Sequence, residues 1–113
     1  MIDTVIPCKD HLLGEHFELH KHRHNFIKKH SMNGRLHPMP QIEPSSMESR
    51  HNELVEEMLR RGYNHNSPYE QPDISYLGDD ANIKIDKKVA LSLLINKCDK
   101  CRKRYYEFIG SKI

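Results

Sequence analysis

The chain contains no tryptophan, and aromatic residues make up only 7% of its 113 positions. Its hydrophobic core must therefore be thin and built mostly from leucine, isoleucine, valine and methionine, which is enough for one domain but not for two. The three cysteines cannot form a fully paired disulfide framework, so we expect a reducing, intracellular, cytoplasmic setting. The longest apolar run, residues 89–95, is interrupted by Ser92 and is too short to span a membrane.

Strand patterning is also missing, because no stretch alternates apolar and polar residues convincingly, and no internal repeat is visible. Apolar residues do recur at helical spacing, which predicts three helices, over residues 11–29, 47–61 and 86–97. Residues 1–9 suggest an extended arm, while the proline-rich residues 35–46 and the polar residues 63–83 suggest irregular loops. The predicted fold is all-α: a compact three-helix single domain over residues 1–113, with the N-terminal arm crossing the helices.

The first predicted helix, HLLGEHFELHKHRHNFIKK, places a carboxylate among histidines and basic residues. Its predicted core face comprises Leu12, Leu13, Phe17, Leu19, Phe26 and Ile27. Glu18 lies between these positions and is a candidate for acid–base chemistry, although a single helical glutamate is more often only a solvated charge. His16, His20 and His24 are spaced i, i+4, i+8 and could bind a metal, although exposed histidines more often make polar or phosphate contacts.

The C-terminal region combines cysteines, basic residues and aromatic rings. Residues 84–113 hold nine basic and three acidic side chains, a local charge of +6, which suits either a surface facing a polyanion or a plain solvated helix. Cys98-x-x-Cys101 is either half of a zinc site or a thiol pair, and a second CxxC is missing. The run RKRYYEFIG suits phosphate contact and base stacking, although Tyr106 and Phe108 could equally be core residues.

Three separate stretches, in order along the chain, resemble the small phage and bacterial pyrimidine-dimer DNA glycosylases that also act as abasic-site lyases. Residues 11–19, HLLGEHFEL, resemble the family's HLxAEYRELxR pattern on its first helix. Residues 50–54 with Glu57 and residues 61–63 are similar to the family's RxxELxxExxxRGF pattern. Residues 105–110, YYEFIG, resemble its aromatic WYKYYG segment.

The resemblance implies a mostly helical domain crossed by its own N-terminal arm, in which the α-amine of the first residue attacks C1′ of the damaged nucleotide's sugar. An α-amine has a pKa near ~8, so part of it is an unprotonated nucleophile at neutral pH. In the family this amine belongs to a threonine exposed by removal of the initiator methionine. Because bulky Ile2 follows here, we expect Met1 to be retained and to supply the amine. The family's catalytic glutamate corresponds to Glu18, which would stabilise the cationic sugar and move protons around the imine.

The leading hypothesis is therefore a DNA glycosylase with abasic-site lyase activity on damaged or modified bases in duplex DNA, with pyrimidine dimers favoured. Met1 and Glu18 are the predicted catalytic residues. No cofactor or metal is expected, and the expected partner of this monomer is double-stranded DNA and not a membrane. The predicted DNA-contacting residues are His11, Lys21, Arg23, Arg50, His51, Lys100, Arg102, Lys103, Arg104, Tyr105 and Tyr106.

Two alternatives stay open from the residues alone. The first is a non-catalytic DNA- or protein-binding module on the same fold. The second is a zinc-stabilised binding protein built on Cys98, Cys101 and histidines, which a metal assay separates from the others.

Overall fold

The structure of the chain is a computed structural model, and it describes residues 1–65 and 68–110. Within these residues the α-helices are α1 (Lys9–Ile27), α2 (Asn33–Leu36), α3 (Met47–Arg60), α4 (Lys87–Lys97) and α5 (Asp99–Gly110). Two 3-10 segments, Pro44–Ser46 and Ser75–Asn82, lie in the connections. The described residues contain no strand, so the predicted all-α class is confirmed. In the same ranges, no helix is long and apolar enough to cross a membrane.

The first helix buries a narrow stripe that is formed by Leu12, Leu19 and Phe26. Residues seven apart return to nearly the same side of a helix with about 3.6 residues per turn, so these three side chains face the core together. The predicted inclusion of Phe17 and Ile27 is wrong, because their side chains are 65% and 48% exposed. Phe17 lies about 140° around the helix from Leu12, and Ile27 lies about 100° from Phe26.

The third helix packs along α1 and supplies the other half of the core. Its buried apolar residues are Met47, Leu54 and Met58. The connecting segments add further core side chains, namely Met32, Leu36, Ile42 and Tyr69. The hydroxyl of Tyr69 is also satisfied, since it donates a hydrogen bond of 2.9 Å to the carbonyl of Leu19. The irregular connections therefore complete a core that two helices alone would leave open.

The C-terminal residues form a helical hairpin, so the expected count of three helices is too low. Asp86 caps α4, since its side chain accepts hydrogen bonds from the backbone N–H groups of Lys88 and Val89, at 3.0 and 3.2 Å. The residues after the predicted third helix form a further helix, α5. Cys98 separates α5 from α4, because the backbone of Cys98 is extended (φ −130°, ψ 111°).

The hairpin contributes little to the main core. The apolar spacing within residues 86–97 predicts that Val89 and Leu93 face inward, but they are 39% and 52% exposed. α4 is described over its whole length and has no buried residue, and the one buried residue of α5 is Cys101. The apolar residues of this hairpin that are not exposed are therefore only half-buried, apart from Cys101.

Candidate active site

A cavity of about 220 Å³ opens between the N-terminal arm and helices α1 and α3. Its lining includes both predicted catalytic residues, Met1 and Glu18. Glu15, His22 and Arg50 also line it. The first residue and the helical carboxylate thus share one partly enclosed space, which is the arrangement that an attacking amine and an acid–base group require.

Arg50 of α3 fixes the beginning of the arm beside this cavity. Its side chain is only 3% exposed, and its guanidinium forms a fork with the Glu15 carboxylate at 2.6 and 3.0 Å. The same guanidinium donates a hydrogen bond of 2.7 Å to the carbonyl of Ile2. Burial alone would lower the pKa of Arg50, but the hydrogen bonds and charges of Glu15 and Glu53 raise it above its usual range. Arg50 therefore stays charged and holds the residue next to Met1.

Arg61, at the end of α3, binds the following part of the arm. It donates to the carbonyls of Thr4 and Val5, both at 3.2 Å, and to that of Pro7 at 2.9 Å. The buried Glu57 carboxylate orients it through a contact of 2.7 Å. Burial favours a higher pKa for Glu57, but hydrogen bonds from Arg60 and Arg61 lower it from the ordinary value.

Three of the predicted DNA-contacting residues are buried or half-buried and have partners within the protein. Arg50 and also His51 were expected on the surface, but they are 3% and 1% exposed, which corrects that prediction. Both lie on the side of α3 that faces α1, where Arg50 gains a carboxylate partner and His51 gains an aromatic one. Arg104 is half-buried and donates to the Val5 carbonyl at 3.0 Å, so it too holds the arm.

The remaining predicted DNA-contacting residues lie nearer to solvent. Arg23 donates to the carbonyl of Glu70 at 2.6 Å, and Arg102 pairs with Asp99 and donates to the carbonyl of Ile95 at 3.1 Å. Other predicted DNA-contacting residues are exposed or half-exposed and donate no such hydrogen bond to a backbone carbonyl, namely Lys21, Lys100, Lys103, Tyr105 and Tyr106. The basic and aromatic residues of α5 are thus available to a polyanion on one face of the hairpin.

A cluster of thiols and one imidazole lies where α1 and α5 both begin. It comprises Cys8, His11, Cys98 and Cys101, whose four donor atoms all lie within 4.8 Å of one another. His11 is therefore a member of this cluster as well as a predicted DNA contact. The backbone N–H of Cys101 lowers the pKa of Cys98, while burial raises the pKa of Cys101 to about 12. The pair Cys8-x-x-His11 has the same spacing as Cys98-x-x-Cys101, but histidine replaces the second cysteine, so the pair does not fit a CxxC pattern.

A second cluster, on another side of α1, contains four histidines, His16, His20, His51 and His65. The Nε2 atom of His16 lies 3.1 Å from that of His51 and 2.8 Å from that of His65. The predicted set of His16, His20 and His24 is therefore only partly brought together, since His24 instead lies near His30, with ring centroids 6.1 Å apart.

Three imidazoles of this second cluster, those of His16, His20 and His51, have lowered pKa values. Burial, together with the charges of His51, His20 and His65, lowers the pKa of His16 to about 4. Burial is also the main cause that lowers the pKa values of His20 and His51. In addition, the buried Nε2 atom of His20 has no hydrogen-bond partner among the described residues. Neutral rings whose lone pairs converge are the form in which histidine binds metals.

A comparison with known families matches just over half of the chain. The family model described as pyrimidine dimer DNA glycosylase matches residues 8–71, which include α1, α3 and the segment between them. The hairpin of α4 and α5 lies outside the match. Neither a curated protein nor a solved structure matches the chain.

Proposed function

Because the chain belongs to the pyrimidine dimer DNA glycosylase family, we propose that it excises a base of a pyrimidine dimer and then cleaves the resulting abasic site as a lyase. In this proposal the α-amine of Met1 is the nucleophile and Glu18 is the acid–base and electrostatic group. The observation that carries it is that both residues line one cavity of about 220 Å³. The proposed substrate is therefore duplex DNA with a nucleotide turned into that cavity.

The proposed reaction begins when the unprotonated amine attacks C1′ of the damaged nucleotide's sugar. The N-glycosidic bond breaks, and the base leaves with its electron pair and takes up a proton. The nitrogen then gives up one proton, and the C1′–O4′ bond breaks as O4′ takes up a proton, which opens the sugar ring and leaves a protonated imine between the protein and C1′. Loss of a proton from C2′ then breaks the bond between C3′ and its phosphate oxygen by β-elimination. Glu18 would stabilise the positive charge on the sugar and accept the proton from C2′.

Two arginines, Arg50 of α3 and Arg61 directly after it, bind the arm that carries the proposed nucleophile. Arg50 binds the carbonyl of Ile2, and Arg61 binds three carbonyls further along the arm. These residues belong to the stretch that resembles the family's second motif, so we assign them to holding the arm and not to contacting DNA. A fixed amine lowers the entropic cost of attack, because fewer orientations have to be lost in the transition state.

The DNA-binding surface in this proposal consists of exposed basic and aromatic side chains near the cavity and on α5. Lys21 lies on α1, and Lys100, Lys103 and Tyr106 lie on α5. Lysines would contact phosphates, and Tyr106, with 62% of its surface exposed, would stack on a base or sugar.

Borohydride trapping tests the proposal, because it reduces an imine to a stable amine and leaves a hydrolytic intermediate unchanged. Duplexes carrying a thymine dimer, an abasic site or no lesion are incubated with the protein and borohydride. A covalent adduct is expected with the first two duplexes and not with the third. Acetylation of the α-amine should abolish the adduct on both.

Glu18→Gln keeps the shape of the side chain and removes its charge, so it separates catalysis from packing. It should remove most of the turnover and leave duplex binding nearly unchanged. Glu48→Gln is the matched control, since Glu48 is an exposed carboxylate of α3 that is not part of the cavity lining. If no duplex gives an adduct and Glu18→Gln behaves like the wild type, only the non-catalytic binding module remains.

A further inference from the structure

We propose that Cys8, His11, Cys98 and Cys101 form a structural zinc site that fastens the C-terminal hairpin to the arm and to α1. Three thiolates and one imidazole are a ligand set that zinc adopts in closed, four-coordinate structural sites. Two ligands come from each of two i, i+3 pairs, and the pairs lie at opposite ends of the sequence. This inference does not depend on the proposed chemistry, because its tests measure metal content and spectra.

The distances between the donor atoms fit a tetrahedron around one ion. With Zn–S bonds of about 2.3 Å and Zn–N bonds of about 2.0 Å, the edges of a tetrahedron are roughly 3.8 Å between sulfurs and 3.5 Å between sulfur and nitrogen. The sulfurs of Cys8 and Cys98 are 3.9 Å apart. The Nδ1 atom of His11 lies 3.2 Å from the sulfur of Cys8 and 3.4 Å from that of Cys101. The four groups would therefore need only small shifts to bind an ion.

Backbone groups around the cluster also suit bound thiolates. The N–H of Cys8 donates to the sulfur of Cys101 at 3.2 Å, and the N–H of Cys101 points to the sulfur of Cys98 at 3.5 Å. Cys8 directly precedes α1, so its sulfur lies at the positive end of a helix, whereas Cys98 lies between the end of α4 and the beginning of α5. A bound divalent ion would deprotonate the coordinating thiols outright, including buried ones.

The site would strengthen the attachment of the hairpin, which buries little apolar surface and contacts the arm through the hydrogen bond from Arg104 to the Val5 carbonyl. Cys101 is the one buried residue of α5, and it meets Cys8 and His11 across the interface. A structural zinc ion contributes directly to folding free energy, since the site does not exist in the unfolded chain. It would also fix the arm at Cys8, which follows the carbonyls that Arg61 holds.

Cobalt substitution tests the thiolate ligands without relying on a variant that folds. Full-length protein without a histidine tag is purified under reducing conditions, stripped with a chelator and titrated with Co²⁺. A thiolate-to-cobalt charge-transfer band and the visible bands of a tetrahedral ion are expected, and an excess of Zn²⁺ should remove them. A reduced, folded protein that shows no such band would overturn the site.

Variants then locate the ion. Cys98→Ser and His11→Ala should each lose the charge-transfer band or weaken it, and each should retain one equivalent of zinc less than the wild type in elemental analysis. His24→Ala is the matched control, because His24 lies outside both clusters, and it should bind as the wild type does. Full zinc content and an unchanged band in Cys98→Ser would contradict the assignment.

A different observation carries a second site, at the cluster of His16, His20, His51 and His65. Nε2 of His20 belongs to this cluster, and among the described residues it is the one buried side-chain nitrogen or oxygen that has no hydrogen-bond partner. The Nδ1 atom of His51 lies 3.2 Å from the side-chain oxygen of Asn52, which fixes the ring and leaves its Nε2 for the cluster. We infer that these imidazoles bind a second divalent transition-metal ion, of the kind that prefers nitrogen ligands.

The two sites can be told apart in one protein. Wild type should bind two equivalents of Zn²⁺ or Co²⁺, and His20→Ala should lose one equivalent while the thiolate band remains. His24→Ala again serves as the control and should keep both equivalents. A wild type that binds a single equivalent, all of it lost in Cys98→Ser, would overturn the histidine site and leave the thiolate site standing.

Discussion

Replacement of Arg50 by methionine should both destabilise the fold and free the nucleophile. Methionine fills much of the same space but removes the charge, the fork to Glu15 and the hydrogen bond of 2.7 Å to the Ile2 carbonyl. Because Arg50 is 3% exposed, water cannot replace these contacts without entering the cavity wall. The variant should therefore unfold more easily and form the imine more slowly.

The expected size of the effect follows from the exposure of the two partners. Removing one member of a fully buried ion pair destabilises by about 3–5 kcal/mol. The side chain of Glu15 is 34% exposed and can be partly rehydrated, so we expect about 2–3 kcal/mol for Arg50→Met. At about 2.1 cal/mol/K of unfolding entropy per residue, this lowers the Tm of a 113-residue chain by roughly 8–12 °C.

Urea and thermal unfolding measure the stability, with Arg60→Met as the control on the same helix. The side chain of Arg60 is 60% exposed, so water can replace much of its ion pair with Glu57, and Arg60→Met should cost clearly less than Arg50→Met. Adding Glu15→Gln to Arg50→Met should cost less than the sum of the single changes, since the carboxylate no longer lacks its partner. A cost below about 1 kcal/mol for Arg50→Met, or strict additivity, would refute a stabilising buried pair.

A second control separates instability from misplacement of the arm. Leu54→Ala removes a fully buried side chain of α3 and should destabilise by about 2–5 kcal/mol without touching the arm. At a temperature where both variants are folded, Leu54→Ala should trap abasic DNA at the wild-type rate and Arg50→Met should not. Equal trapping rates in the two variants would remove Arg50 from the positioning of Met1.

Stability should also fall in acid, because the folded state lowers the pKa of the Glu57 carboxyl from its ordinary value of 4.5. The ionised carboxylate therefore stabilises the fold fully above pH 4.5, and this stabilisation is lost as the pH falls through the lowered pKa. Glu57→Gln should flatten this part of a pH series of urea-unfolding measurements. The affinity for duplex DNA should fall steeply with salt concentration. In binding titrations, Lys100→Gln or Lys103→Gln should each reduce the slope of log affinity against log salt concentration by about 1. A wild-type affinity that does not change with salt would contradict a surface that contacts phosphates. Phe17→Ser should change stability by less than about 0.5 kcal/mol, whereas Phe26→Ala should cost about 3–5 kcal/mol in urea unfolding.

Local periodicity predicted those features of the fold that depend on neighbouring residues. The spacing of Leu12, Leu19 and Phe26 predicted α1 and its buried face, and this part is confirmed. The same prediction also included Phe17 and Ile27, because a list of apolar positions does not show how narrow the buried side of the helix is. α5 was missed because basic and aromatic residues indicated a binding surface and masked its helical character.

Contacts between distant residues were beyond the reach of the sequence alone. Arg50 looks like a surface residue until Glu15, 35 positions earlier, is known to face it. Cys8 and Cys101 are 93 positions apart, so the cluster of three thiols and one imidazole forms only when α5 has folded against the arm. The joint catalytic role of Met1 and Glu18 was predicted from the family resemblance and not from spacing, since the N-terminal arm has no helical periodicity, and the cavity that both residues line could not be predicted from the sequence.

The most direct test of the central claim is to map the atom that carries the trapped DNA. The wild-type protein is reduced with borohydride on abasic DNA, the adduct is digested, and the peptides are sequenced by mass spectrometry. We predict that the sugar fragment is attached to the α-amine of the N-terminal peptide that begins at Met1. An adduct on Lys9 or Lys21 would assign the nucleophile to a lysine and contradict the account.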